Sequence, residues 1–132
     1  LKYAVSFALR NEAELYLLHV IGIRTFDENL DTITKQIADD SSINNLKKKL
    51  LECVPEEIRS DMKIEAIVVQ GIPFVEIIKI AKENEVDMLV LGTHGRTGLA
   101  HMMLGSVSEK VVRKAPCPVL TVRTPNHKFV MP

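Results

Sequence analysis

A segment in the last third of the chain carries the residues whose types and spacing could bind an anion. Gly92 and Gly95 are separated by two residues, and nine more lie between Gly95 and Gly105, which directly precedes Ser106. Glycines adopt φ > 0 easily and let successive backbone N–H groups point into one concavity, where an anion is held. Hydroxyl groups at Ser106 and Ser108 would add hydrogen bonds. The segment therefore predicts a phosphate-sized anion site.

The second half of this segment also begins a helix, whose unpaired N–H groups and partial positive charge attract anions. Arg96 would supply a formal charge. An ordinary alternative needs no ligand: Ser106 and Glu109 have the spacing of a capping box, and the glycines then only turn the chain. The spacing is neither the dinucleotide fingerprint nor a Walker loop. From the residues alone, phosphate binding and a simple turn both remain open.

Charge and composition narrow the class of protein. Lys plus Arg number 17 and Asp plus Glu number 17, so the net charge is zero and a general nucleic-acid partner is not expected. Cys53 and Cys117 have neither metal-ligand spacing nor a disulfide framework, which favours a reducing, cytoplasmic location. No apolar run reaches the roughly 18 residues of a membrane-spanning helix, so no membrane partner is expected.

Helical and strand patterns alternate along the chain and predict the elements that position the segment. Strict alternation with short connections is typical of the α/β class, in which a parallel sheet is covered by helices on both faces. One domain over residues 1–123 and a C-terminal tail over 124–132 are predicted. The predicted strands are Glu14–Ile21, Lys63–Val69, Val86–Leu91 and Pro118–Val122, with helices before the first strand, over Ile43–Val54, from Pro73 and from Ser106.

Several residues elsewhere have ordinary explanations. His19 lies inside an apolar strand and is interpreted as a hydrogen-bonded strand residue, whereas His94 is the better functional candidate because it lies in the glycine segment. Cys117, between two prolines, is interpreted as a small buried residue in a rigid turn, and Cys53 as filling a helix–sheet interface. The run Lys47–Lys49 is interpreted as the solvated face of a helix.

Three stretches of the sequence resemble the universal stress protein family. They are Asp87–Gly98, Leu104–Val112 and Ala115–Leu120, and the similarity also includes Leu17–Ile21 and Gly71–Pro73. In this family, two glycines separated by two residues, then nine residues and a Gly-Ser pair, mark the members that bind ATP. The resemblance therefore implies an ATP-binding member.

The resemblance also implies the details of the fold. The family has an open, Rossmann-like parallel sheet of five strands, similar to the adenine nucleotide α-hydrolases. Its first strand carries a Pro-x-Asp-x-Ser segment and lies centrally, between the strands that correspond here to Leu15–Ile21 and Val86–Leu91. That strand has no counterpart in the printed sequence. Without it, backbone groups of its neighbours would be unpaired, so we expect the protein to possess it.

The expected ligand is ATP, or ADP or AMP, with Mg²⁺ or Mn²⁺. Ribose and phosphates are expected near the glycine segment, with Ser106 and Ser108 donating to phosphate, and adenine near the backbone of Val20. Members of the family commonly dimerise through the strand that corresponds to Pro118–Val122, so a homodimer is expected. The predicted nucleotide-binding residues are Val20, Leu91, Gly92, His94, Gly95, Arg96, Gly105, Ser106, Val107 and Ser108.

Three functions remain open at this point. The first is an ATP-binding module in stress response or signalling, in which nucleotide occupancy acts as a switch. The second is an enzyme, a slow ATPase or a phosphoryl transferase, although no dedicated base, carboxylate pair or metal ligand is visible near the loop, and no catalytic residue is predicted. The third is a nucleotide-free dimeric interaction protein that keeps the glycines for folding alone.

Overall fold

Helices and strands alternate in the computed structural model, which describes residues 1–22, 39–92 and 105–123. Two compact units divide the chain, Leu1–Pro73 and Phe74–Pro132. The predicted single domain over residues 1–123 stays a prediction. Residues 23–38, the central part of the glycine segment with His94, Gly95 and Arg96, and the tail 124–132 lie outside the described residues.

The first unit holds two parallel strands and the helices that connect and precede them. Strands β1 and β2 pair over their whole length, from Leu15 opposite Ile64 to Gly22 opposite Gly71. Parallel neighbours need a crossover connection, and helix α2, which contacts both strands, lies within it. The elements are α1 (Lys2–Arg10), β1 (Leu15–Gly22), α2 (Asp40–Glu52), the single turn α3 (Glu56–Arg59) and β2 (Ile64–Gly71).

Apolar side chains from α1, β1 and the turn after α2 form the core of this unit. Val5, Leu17 and Val54 are buried, and Val54 has no exposed surface. Burial of this kind supplies most of the free energy that stabilises packed helices. Partly buried side chains surround these three: Leu15, Leu50, Ile58, Met62 and Ile64.

Helix α2 differs from its prediction at both ends. It begins at Asp40 because Asp39 caps it: the Asp39 carboxylate accepts a hydrogen bond from the backbone N–H of Ser42 at 3.2 Å. The sequence predicts that this helix continues to Val54, yet it already ends at Glu52, and Pro55 precedes the short helix α3. Proline disfavours helical backbone at the residue before it, so the helix ends ahead of it.

Because α2 ends at Glu52, the interpretation of Cys53 as a residue of the helix–sheet interface is wrong. Cys53 is the C-cap residue of α2 and is exposed, not packed between helix and sheet, and its Sγ donates to the carbonyl oxygen of Lys49 at 3.2 Å. The solvated face predicted for Lys47–Lys49 is confirmed, since all three lysines are exposed.

The second unit repeats the alternation. Pro73, the last residue of the first unit, occupies the first position of the helix that follows, as predicted, because a missing N–H costs nothing there. Strands β3 and β4 pair in parallel, from Leu89 opposite Val119 to Gly92 opposite Val122. The elements are α4 (Pro73–Glu83), β3 (Leu89–Gly92), α5 (Ser106–Lys114) and β4 (Val119–Val122).

Strand β3 starts three residues later than predicted. Val86 was expected to open the strand, but its backbone N–H donates to the carbonyl oxygen of Ala81 at 2.9 Å and so completes the end of α4. Glu85, with φ of 47°, reverses the chain between them. The carboxyl end of a helix frequently uses such a left-handed residue.

The α/β class with parallel strands is confirmed. The four strands of the described ranges form two separate pairs, β1–β2 and β3–β4. A single sheet of five strands is therefore not confirmed there. Within those same ranges no helix has the length and apolarity to cross a membrane.

Candidate functional site

The start of α5 presents a helix N-terminus without a capping side chain. Gly105 is the N-cap residue, with φ of −55° and ψ of 144°, and its carbonyl accepts from the N–H of Glu109 at 2.9 Å. Ser106 is exposed and already belongs to the helix. The capping box predicted for Ser106 and Glu109 is therefore wrong, because Ser106 lies one position past the cap. Glycine has no side-chain oxygen, so the N–H groups of the first turn receive no acceptor from it.

Ser108 connects this helix to the end of β3. Its Oγ lies 2.7 Å from the carbonyl oxygen of Gly92, and the residue is only 9% exposed. A carbonyl oxygen only accepts, so the single hydroxyl proton of Ser108 lies in this bond. The bond joins residues 16 positions apart. No local sequence pattern marks such a pair, so the sequence alone does not predict it.

One buried valine anchors the same helix. Val111 has no exposed surface and lies one turn after Ser108, on the same helix face. The helix contacts β4, which pairs with β3. Thus one hydrogen bond joins the first turn of α5 to the end of β3, and the next turn of the helix is buried at Val111.

Charges are distributed unevenly along α5. Glu109, in the first turn, is paired with Arg113 at 3.1 Å, and both side chains are at least half exposed. Lys110 and Lys114 lie over the ring of Phe74, with Nζ 4.9 Å and 5.9 Å from its centroid. Among the described residues of this first turn there is no cation, so an anion there would rely on backbone N–H groups and on the helix dipole.

The structure brings together six of the ten predicted binding residues within the second unit: Leu91 and Gly92 at the end of β3, and Gly105, Ser106, Val107 and Ser108 at the start of α5. Val20 lies in the first unit, in β1 opposite Val69, and is half-buried. His94, Gly95 and Arg96 lie outside the described residues.

The other residues that the sequence singles out include Cys117 and His19. Burial raises the pKa of the Cys117 thiol above its ordinary value of 9.0, and the charge of Asp87 acts in the same direction. The thiol is therefore protonated near neutral pH, which agrees with a structural role. His19 is half-buried in β1, opposite Val68. No group of three or more His, Cys, Asp or Glu side chains that could hold a metal ion occurs in the three described ranges.

The family profile and a relative of known sequence identify the same protein family. The sequence profile of the universal stress protein family matches residues 1–123. Universal stress protein YxiE of Bacillus subtilis is 38% identical over 127 residues, which cover 91% of this chain and 86% of that protein.

Two solved structures of universal stress protein family members have the same fold as this chain. The universal stress protein UspA from Lactobacillus plantarum superposes with a TM-score of 0.74 at 26% identity, covering 92% of this chain and 86% of that one. A universal stress protein family protein from Arabidopsis thaliana with AMP bound has a TM-score of 0.56 at 24% identity, with coverage of 95% and 78%. That last likeness shows the fold alone. With the profile spanning all three described ranges, the chain belongs to the universal stress protein family.

Proposed function

We propose that this chain binds ATP or a close adenine nucleotide and acts as a nucleotide-dependent switch in a stress or signalling response. The observation that carries the proposal is the start of α5, where Gly105 supplies no capping side chain and Ser106 is exposed. Phosphate at a helix N-terminus accepts from the free N–H groups and gains from the helix dipole.

The spacing of the glycines supports an adenine nucleotide over other anions, because it is the spacing of the ATP-binding members of the family. The fold also accommodates such a ligand, since the Arabidopsis protein was solved with AMP. We infer that the first-turn N–H groups and Ser106 meet the phosphates and that Gly92 lies beside the ribose. Mg²⁺ or Mn²⁺ would accompany a triphosphate.

The test is titration of the purified protein with ATP, ADP and AMP by calorimetry, in the wild type and in Gly105→Val. At φ of −55° and ψ of 144°, Gly105 has backbone that any residue adopts, so valine introduces bulk without backbone strain. Ala115, at the other end of α5, has nearly the same backbone, with φ of −60° and ψ of 142°. Ala115→Val is therefore the matched control.

We expect Gly105→Val to lose binding by at least about tenfold, which is about 1.4 kcal/mol, while Ala115→Val binds as the wild type does. Equal affinities in all three proteins would remove the assignment of the site. Mass spectrometry of small molecules released by heat denaturation gives an independent answer. A wild-type protein that neither carries nor binds a nucleotide would be a nucleotide-free interaction protein.

Binding is proposed in preference to efficient catalysis. The described residues of the site contain one carboxylate, Glu109, and it is paired with Arg113. Phosphoryl transfer calls for a positioned base and carboxylates that hold a metal. We expect ATP hydrolysis slower than about 1 per second, the low end of ordinary enzymes.

We also propose a cytoplasmic homodimer that forms along Pro118–Val122. Leu120 in β4 is 39% exposed, and Thr121 beside it is exposed as well. Apolar edge strands are commonly covered by a second copy. Analytical ultracentrifugation at micromolar concentration should give a dimer for the wild type and a monomer for Leu120→Glu. A wild-type monomer would contradict the proposal.

A further inference from the structure

We propose that Ser108 is a positioning residue of the nucleotide site: its hydroxyl fixes the end of β3 against the first turn of α5 and does not bind phosphate. This inference rests on the proposed function, because the site that Ser108 positions is the nucleotide site. It divides the two serines of α5 into different roles. Ser106 meets the ligand, and Ser108 holds the structure that surrounds it.

A single hydroxyl proton limits Ser108 to one acceptor. The hydroxyl of Ser108 has one proton, and the carbonyl of Gly92, at 2.7 Å, takes it. A phosphate oxygen also needs a donor, so Ser108 cannot serve both acceptors at once. The cap position of α5 is Gly105, so the hydroxyl of Ser106 does not serve as the helix cap.

Burial also distinguishes Ser108 from Ser106. Ser108 is 9% exposed and shares its helix face with Val111, which has no exposed surface. Ser106 is exposed. Turning the Ser108 hydroxyl toward a ligand would break its bond to the Gly92 carbonyl and would move the hydroxyl away from the buried face of the helix. The hydroxyl therefore keeps its place when a nucleotide binds.

The bond between Ser108 and Gly92 also joins two elements that are far apart in the sequence. It spans 16 positions, and its two ends belong to elements already held by β4, because β3 pairs with β4 and α5 contacts β4. The bond thus keeps the first turn of α5 beside the end of β3. A ligand that needs this arrangement then binds more tightly, because less ordering remains to be done.

The test compares Ser108→Ala, Ser108→Thr and Ser108→Val with Ser106→Ala. Thr and Val have nearly the same shape, so their difference reports the hydroxyl alone. We expect Ser108→Ala and Ser108→Val to weaken ATP and AMP by the same factor, about tenfold, and Ser108→Thr to bind as the wild type does. Ser106→Ala should instead weaken ATP more than AMP, because it removes a donor to phosphate.

A second measurement needs no ligand. Amide hydrogen exchange by NMR in the nucleotide-free protein should be about tenfold faster at Leu91, Gly92 and Glu109 in Ser108→Val than in Ser108→Thr. Ser106→Ala should exchange there as the wild type does.

Failure of the proposed function and failure of the inference about Ser108 give different results. If the wild type binds no adenine nucleotide, the proposed function fails, while the exchange experiment still tests the link between Ser108 and Gly92. If the wild type binds and Ser108→Val weakens ATP but leaves AMP unchanged, Ser108 is a phosphate ligand and the inference is overturned. Equal affinity and equal exchange for the Thr and Val variants would overturn it as well.

Discussion

The backbone N–H of Val86 donates to the carbonyl oxygen of Ala81 across Glu85, whose φ is 47°. Ala8 accepts from Ala13 in the same way across Glu12, with φ of 52°, at the end of α1. Both helices therefore end in a left-handed turn with a glutamate where glycine is usual. A side chain in this conformation costs roughly 1–2 kcal/mol.

Glu85→Gly should therefore stabilise the protein. Relief of the left-handed strain exceeds the entropy that glycine adds to the unfolded chain, which leaves a net gain of about 0.5–1 kcal/mol. Urea unfolding monitored by circular dichroism measures the change. The control is Lys79→Gly, in the exposed interior of α4, which should destabilise by about 1 kcal/mol. A loss of stability in Glu85→Gly would contradict the conformation of this turn.

Val111 and Val112 form a matched pair on α5. Val111 has no exposed surface, whereas Val112 is 45% exposed. Truncating Val111 to alanine should cost about 2–3 kcal/mol, since buried methyl groups are lost and a cavity is left. Val112→Ala should change the free energy of unfolding by no more than about 0.5 kcal/mol. Similar losses in the two variants would show that α5 does not pack by the face of Ser108 and Val111.

Asp39 makes the start of α2 dependent on pH. The hydrogen bonds from Ser42 lower the pKa of the Asp39 carboxyl below its ordinary value of 3.8. Its stabilising contribution is thus complete above that ordinary pKa and is lost as the pH falls through the lower pKa of the folded state. Asp39→Asn, which still caps but has no charge, should lose this acid-sensitive part alone.

Asp39→Ala removes the cap altogether and should lower the midpoint of thermal unfolding at neutral pH more than Asp39→Asn does. Thermal unfolding of the three proteins at pH 7 and at pH 3 checks both statements. If Asp39→Ala and the wild type have the same midpoint at pH 7, the hydrogen bond from Ser42 does not contribute to stability.

The two cysteines should react at different rates. Cys53 is exposed, whereas Cys117 is partly buried and burial raises its pKa, so less thiolate is present. With an uncharged alkylating reagent at pH 7.5, Cys117→Ser, which retains Cys53, should be labelled at least several-fold faster than Cys53→Ser. Equal rates, read by mass spectrometry over time, would contradict the difference in burial.

The sequence predicts the elements better than it predicts their ends and their long-range partners. Pro73 is a local signal with a fixed φ, and the helix begins there as expected. Cys53 was misplaced because the apolar pattern continues to Val54, while the helix itself ends at Glu52. Val54 is buried although it lies beyond the end of α2, so apolar periodicity alone cannot locate the end of that helix.

The candidate site likewise has features that the sequence predicts and features that it does not. The type and spacing of Gly92, Gly105 and Ser106 are visible in the sequence, and they point to the end of β3 and the start of α5. The bond from Ser108 to Gly92 is not visible there, because it depends on how a helix packs beside a strand 16 positions away. The failed capping box has a similar cause: a shift of one residue turns Ser106 from a cap into the first residue of the helix.

Extended backbone at Gly105 and at Ala115 bounds α5 on both sides, which restricts the changes of length that this helix tolerates. Each residue of a helix turns it by about 100°. One residue inserted between Ser108 and Val111 would therefore leave either the hydroxyl or the valine facing away from the position it occupies now. Substitutions inside α5 can be absorbed one at a time, but an insertion or deletion within the helix rotates one part of it relative to the other.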